Sequence, residues 1–334
     1  MRTGNLALCC LLLVPSAKAQ KVRHERIIDM HLHALPADGI GPPPAAICAP
    51  AETFPVWDAR GVKRGSQNCQ HPLTSPMTDE ELMNRTLQIL RENNVWAVTS
   101  GSFPLLSKWK QAGGDRIFPA TWFEMRPGPT PDVRSHPTVN QLRELIQTKQ
   151  IMAVAEITEQ YSGISANDAS MEPYYQLAEE LDVPVGIHMG PGPPGTAYHP
   201  PTSGYRMRLS SLLQLEEVLL RHPKLRLWAM HAGWPLLDDA VATLYAHPQL
   251  YVDVGVISFL LPKAEFYGYL RRLVEAGFEN RIMFGSDQMV WPDALQAAIS
   301  TIQQAPFLTL DQKRDILCRN AARFLRLGES SCAE

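Results

Sequence analysis

The stretch Ile27-Ile28-Asp29-Met30-His31-Leu32-His33 is an apolar run that ends in His-x-His. Read as a β-strand, it places alternate side chains on one face, so His31 and His33 reach one point from one edge. The runs 183–188 and 225–231 close in the same way on His188 and His231, and the run 281–285 leads to Asp287. Neutral imidazoles and a carboxylate gathered at one place make a divalent-metal site, with a position left open for chemistry. The remaining histidines read differently. Of the ten, His71, His136, His199, His222 and His247 each precede proline. A residue in that position is pushed out of helix, so these five read as loop punctuation.

Working outward, helical and strand-like runs alternate. Helical segments at 79–93, 139–148, 172–181, 210–221, 236–246 and 263–276 precede strands at 95–100, 151–156, 183–188, 225–231, 250–254 and 281–285. A short helical piece also precedes a strand at 116–122. With the first strand this makes eight βα units, and the expected fold is an α/β, (β/α)8 TIM barrel. A doubly wound open sheet is the alternative, but no Gly-x-Gly-x-x-Gly turn follows the first strand. Active sites in such barrels gather at the C-terminal ends of the strands. His31, His33, Glu156, His188, His231 and Asp287 all stand at such ends. The Pro/Gly-rich stretch 34–76, with Gly41-Pro42-Pro43-Pro44, follows the first strand and is expected to lie over the active-site face as a lid or pocket wall.

The chain has 334 residues, enough for one large domain. Its start reads as a secretory signal. Arg2 is followed by the apolar run 6–14 and by Ala17-Lys18-Ala19, with cleavage expected after Ala19 and the single barrel domain occupying 20–334. The expected product is exported, periplasmic or secreted, with no membrane attachment after cleavage, because the apolar run is too short to span a bilayer. Cleavage removes two basic residues and no acid, so the formal charge of −3 becomes −5. A mildly acidic surface argues against nucleic acid as a partner. The expected partner is a small-molecule substrate, with homo-oligomerisation left open. Cys48, Cys69, Cys318 and Cys332 remain after cleavage. Of their three pairings, Cys48–Cys69 and Cys318–Cys332 are the local choice, in keeping with an oxidising compartment.

The pieces Ile28-Asp29-Met30-His31-Leu32-His33, Val185-Gly186-Ile187-His188, Trp228-Ala229-Met230-His231-Ala232-Gly233-Trp234-Pro235, Tyr251-Val252-Asp253-Val254 and Ile282-Met283-Phe284-Gly285-Ser286-Asp287 span nearly the whole chain after residue 19. In that order they resemble the amidohydrolase superfamily, within it the branch of aminocarboxymuconate-semialdehyde decarboxylase-like enzymes. The resemblance implies metal ligation by His31, His33, His188 and Asp287. It implies for His231 either an acid/base role beside one metal or ligation of a second. Glu156 stands where many binuclear members carry a carboxylated lysine or a glutamate, so one ion or two stays open.

A zinc-class ion lowers the pKa of water from about 16 to about 7. Asp287 would take the proton of that water and pass it to a leaving group, while His231 would orient the substrate oxygen or stabilise its developing charge. The leading expectation is an exported metal-dependent hydrolase acting on an amide, ester or lactone. The alternative is a non-oxidative decarboxylase of an aromatic or unsaturated acid, and a third reading is a non-catalytic metal-binding barrel. Arg126, His199, Arg206 and Trp234 are the candidate substrate-binding residues, the two arginines as partners for a substrate carboxylate.

Overall fold

The computed structural model describes residues 25–56, 69–123, 137–198 and 202–332. The expected signal segment, Arg126 and His199 lie outside the described residues. Eight parallel strands run in chain order around the sheet: β1 (Ile27–Ala34), β2 (Val95–Gly101), β3 (Ile117–Phe123), β4 (Ala153–Ile157), β5 (Val185–His188), β6 (Leu227–Met230), β7 (Tyr251–Asp253) and β8 (Ile282–Met283). Between them run α1 (Asp79–Glu92), α2 (Phe103–Gly113), α3 (Val139–Gln147), α4 (Glu172–Glu180), α5 (Glu216–Arg221), α6 (Leu237–Ala246), α7 (Ile257–Leu260) and α8 (Lys263–Glu275), and α9 (Pro292–Gln303) follows β8. This is the expected TIM barrel.

Local chemistry explains these elements. The strands are buried throughout or nearly so, as parallel strands covered on both faces must be. The Thr78 side chain caps α1 by accepting from Glu81 N, and three acidic residues fill its first turn. Thr138 and Gln141 form a reciprocal capping box on α3. One helix is shorter than the sequence implies. Over 210–221 only α5 is α-helical, because Ser211 turns extended, accepts from Leu213 N and donates to Asp239 Oδ2 at 2.6 Å. A serine that satisfies neighbouring backbone in this way competes with the helix.

One apolar cluster fills the space between barrel and helices, with Leu87, Trp109, Leu215 and Phe266 among its members. A second lies inside the barrel, where Ile28, Met30, Trp228, Met230 and Met283 meet Cys318, Ala321 and Phe324 of the C-terminal segment. Arg226, just before β6, donates to Phe324 O at 2.9 Å, so this segment plugs the N-terminal floor of the barrel. Both locally expected disulfides are present, Cys48–Cys69 and Cys318–Cys332. Within the stretch 34–76, Ala46–Ile47 pairs antiparallel with Leu73–Thr74. Its Ala51 N donates to Leu260 O, and Trp291 Nε1 donates to its Ala45 O.

The seam between β8 and β1 bears most on the site. It is closed by Met30 N donating to Phe284 O at 2.9 Å and Asp287 N donating to His31 O at 2.6 Å. Side chains complete it. Asp29 Oδ1 accepts from Ser286 N, while the Gln288 amide accepts from His33 N and donates to His33 O.

Candidate metal centre

His31 and His33 lie two residues apart on β1 and are fully buried. Regular pairing of β1 with β2 breaks between Asp29 and Leu32, and that of β4 with β5 between Val154 and Ile157. These are the places where His31 and Glu156 turn inward, a common use of irregular pairing beside functional sites. His231 and Asp287 are not the last residues of their strands. Each lies beyond its strand in left-handed backbone, at φ 61° and 49°. Such a conformation costs a non-glycine residue about 1–3 kcal/mol and persists only where surrounding contacts impose it. Here Gly255 is one cause: its carbonyl accepts the His231 Nδ1–H at 2.9 Å. A Cβ at Gly255 would come within 2.5 Å of His31 Nδ1, so only glycine fits there.

The six strand-end residues do meet at one mouth. Glu156 lies at the centre of the cluster. Its Oε2 stands 3.4 Å from His33 Nε2 and 3.6 Å from His31 Nε2. Its Oε1 contacts His188 Nδ1 and stands 3.5 Å from His231 Nε2. Asp287 Oδ1 lies 3.0 Å from His33 Nε2, and Oδ2 lies 3.9 Å from His231 Nδ1. Three close triads of ligand atoms result: His31, His33 and Glu156; Glu156, His188 and His231; and His31, His231 and Asp287. His188 therefore groups with Glu156 and His231 rather than with His31 and His33.

A divalent cation fits these residues. His31 Nε2, both ring nitrogens of His33 and Asp287 Oδ1 are buried without a hydrogen-bond partner. Orphaned buried polar atoms are rare in folded proteins, and three of these four, His31 Nε2, His33 Nε2 and Asp287 Oδ1, are ligand-type atoms that face one another within the cluster. The groups also set one another's charge. Burial opposes ionisation of Asp287, but His31, His33 and His231 outweigh it and hold the carboxyl down to about 2. Burial likewise opposes a charged Glu156, which His188 and His31 keep well below the usual carboxylate range. For His31, burial is overcome by Asp287, Asp253 and Glu156, and its pKa rises well above the ordinary value. His188 moves the other way, lowered by burial and by neighbouring His231.

Several supporting residues escaped the sequence reading. Asp253, at the end of β7, faces His31 Nδ1 at 3.3 Å and accepts from His231 N, Gly255 N and the Trp228 indole. A carboxylate at a strand end was the signal for it. Gln288 grips the backbone of His33, and its place beside Asp287 was the only hint. Tyr161, in the turn after β4, sets its hydroxyl 3.2 Å from His188 Nε2, with no sequence signal. Of the substrate-binding candidates, Trp234 donates to Glu265 Oε1 and lies 6.5 Å from the Phe54 ring. The Arg206 guanidinium donates to the carbonyls of Ser203 and Tyr205. Two pre-proline histidines prove to be more than punctuation. His222 and His247 are buried at the ends of α5 and α6, and His222 sits between the carboxylates of Glu172 and Glu179.

Eight parallel strands carrying imidazoles and carboxylates to one C-terminal mouth define a metal-dependent barrel enzyme class. The amidohydrolase family model matches residues 28–327, and the chain belongs to that family. Solved structures share the fold. A 5-carboxyvanillate decarboxylase from Sphingomonas paucimobilis superposes with TM-score 0.54 at 14% identity, over 91% of this chain and 100% of its own. A probable 2-pyrone-4,6-dicarboxylic acid hydrolase from Acinetobacter baumannii, solved with citric acid, gives 0.55 at 15% identity, over 90% and 99%. A dihydroxybenzoic acid decarboxylase from a Polaromonas species, solved with manganese and 2-nitroresorcinol, gives 0.52 at 13% identity, over 73% and 86%. At these identities the likeness is one of fold. No protein with a curated description matches the sequence.

Proposed function

We propose that this protein is an exported metal-dependent hydrolase that cleaves an amide, ester or lactone bond in a small molecule. The observation that carries the reading is the position of Glu156, one buried carboxylate whose two oxygens face two different pairs of histidine nitrogens. That arrangement forms two half-sites with a shared ligand. One is built from His31, His33 and Glu156, and the other from Glu156, His188 and His231, with Asp287 beside both. Zinc-class cations held there would supply Lewis acidity toward a carbonyl oxygen and bring the pKa of water toward about 7.

The chain's own groups do the rest. Asp287, held ionised by its three histidine neighbours, accepts the proton of the attacking water and returns it to the leaving group. His231 is anchored by its Nδ1–H on Gly255 O, so its Nε2 edge faces the cluster, where it steadies the substrate oxygen. Trp234 and Phe54 would form part of the rim, with residues 34–56 as a pocket wall. Two disulfides support an oxidising location.

Non-oxidative decarboxylation is the second reading. The shared fold does not choose, since two of the similar structures described above are decarboxylases and one is a probable hydrolase. Two measurements decide. Metal analysis of the purified protein is expected to find zinc-class ions approaching two per chain. A panel of esters, lactones, amides and aromatic acids is expected to show hydrolysis that a chelator abolishes. Carbon dioxide release without hydrolysis would reverse the choice of reaction.

A further inference from the structure

We propose that the Tyr161 hydroxyl is a positioning group that holds the His188 ring with its Nδ1 edge toward Glu156 and His231. This rests on reading the cluster as a metal centre. The geometry has two halves. On the inner edge, His188 Nδ1 meets Glu156 Oε1 and stands 3.0 Å from His231 Nε2. On the outer edge, Nε2 stands 3.2 Å from the Tyr161 oxygen. The two rings lie 4.9 Å apart at 54°, so Tyr161 also packs against the imidazole it holds.

A hydroxyl suits this position because it can donate or accept, whereas a carboxylate can only accept. Without a cation, His188 Nδ1–H donates to Glu156, and the Tyr161 O–H donates to Nε2. Were His188 Nδ1 to serve as a ligand to a cation, the neutral ring would carry its proton on Nε2 and donate it to the Tyr161 oxygen. The ring keeps its orientation in both tautomers. A fixed partner on the outer ring nitrogen is how metal-binding histidines are generally oriented.

Tyr161 is itself braced. Its ring lies 5.8 Å from that of Tyr205, whose hydroxyl is 3.4 Å from Ser210 Oγ. Ser210 Oγ donates to Gly190 O at 2.8 Å. A Cβ at Gly190 would come within 2.7 Å of His231 Cβ, so the run of contacts returns to the other histidine of the same half-site. Both imidazoles of that half-site are thus fixed from behind, His231 by Gly255 O and His188 by Tyr161.

Tyr161→Phe tests this, because it keeps the ring and removes only the oxygen. In the metal-free wild type, the 15N NMR pattern of the His188 side chain should show one dominant tautomer with Nδ1 protonated. In the variant it should shift toward a mixture, with the melting temperature reporting that the fold is intact. Zinc titration should show affinity lower by roughly 10–100-fold. An unchanged His188 pattern in the metal-free variant overturns the assignment of Tyr161. Wild-type protein that takes up no zinc would overturn the metal reading instead, and the metal-free spectrum would still decide the role of Tyr161.

Discussion

Asp253 Oδ2 lies 3.3 Å from His31 Nδ1, and the same oxygen accepts the Trp228 indole N–H at 3.0 Å. One edge of the His31 ring is thereby taken, so its other nitrogen, Nε2, can only face Glu156 and Asp287, 3.6 and 3.8 Å away. The carboxylate also receives the backbone N–H groups of His231 and Gly255. A single buried side chain thus ties β6, β7 and β1 together at the height of the cluster.

Replacing this carboxylate by a carboxamide should therefore damage metal binding without altering any proposed ligand. In Asp253→Asn the new NH2 group faces either the Trp228 N–H and the His31 edge together, in place of Oδ2, or the His231 and Gly255 N–H groups, in place of Oδ1, and those contacts become repulsive. Metal affinity should fall roughly 10–100-fold, the usual cost of losing a partner behind a ligating histidine. Titration with zinc checks this, and undiminished affinity would show that the His31 orientation is set elsewhere.

Asp287→Asn tests the proton transfer. Removing a positioned acid/base group lowers turnover by roughly 10²- to 10⁴-fold. The assay uses whichever substrate the panel identifies, with metal content measured on the same sample to separate lost ligation from lost proton transfer. A variant that keeps both its metal and its rate would rule out the role given to this carboxylate.

Alkaline stability provides a test that does not depend on metal binding. Tyr175 is buried and donates to Ala166 O at 2.7 Å. Burial, with Glu159 adding to it, raises the phenol pKa in the folded protein. The unfolded value is about 10, so the neutral phenol is the form the fold favours. This contribution is complete below about pH 10 and is lost as pH rises above that toward the folded-state pKa. Tyr175→Phe should reduce the alkaline loss. Near neutrality it should cost about 1–3 kcal/mol, because Ala166 O is left without its donor. Urea midpoints at neutral and alkaline pH measure both effects, and parallel pH profiles for the two proteins would count against the argument.

The barrel floor makes a separate prediction. Cys318 is buried among Ala321, Phe324 and Trp228, and its bond to Cys332 closes a loop with a sequence separation of 14. A crosslink over a loop of that size is worth about 3 kcal/mol. The double variant Cys318→Ser, Cys332→Ser should lose stability on that scale in urea unfolding. Its zinc uptake should persist, because the segment plugs the mouth opposite the histidines. Loss of zinc uptake with stability unchanged would contradict that separation.

Strand ends were the most legible feature of the chain. Burial on both faces of a parallel strand leaves a continuous apolar run, and a polar residue where the run stops is visible without a structure. His31, His33, Glu156, His188, His231 and Asp287 were all found by that rule and all meet. Asp253 ends β7 in the same way, but its partners His31, Trp228 and Gly255 come from three different segments that only the fold brings together. Gln288 and Tyr161 had no such mark. One acts through backbone contacts across the seam, and the other from a turn five residues beyond the Glu156 position.

By itself the sequence determined the barrel, the order of its strands and the six groups at its mouth. Those follow from periodicity and from residues adjacent in the chain, which short-range sterics and burial fix. Tertiary structure alone decided the grouping within the mouth: that Glu156 is shared between two pairs of histidines, and that His188 lies with His231 rather than with His31 and His33. Contacts between residues far apart in the chain carry that choice, His188 with Glu156 across 32 positions and His188 with His231 across 43. They depend on ring orientation and on small irregularities in strand pairing, which no local pattern encodes.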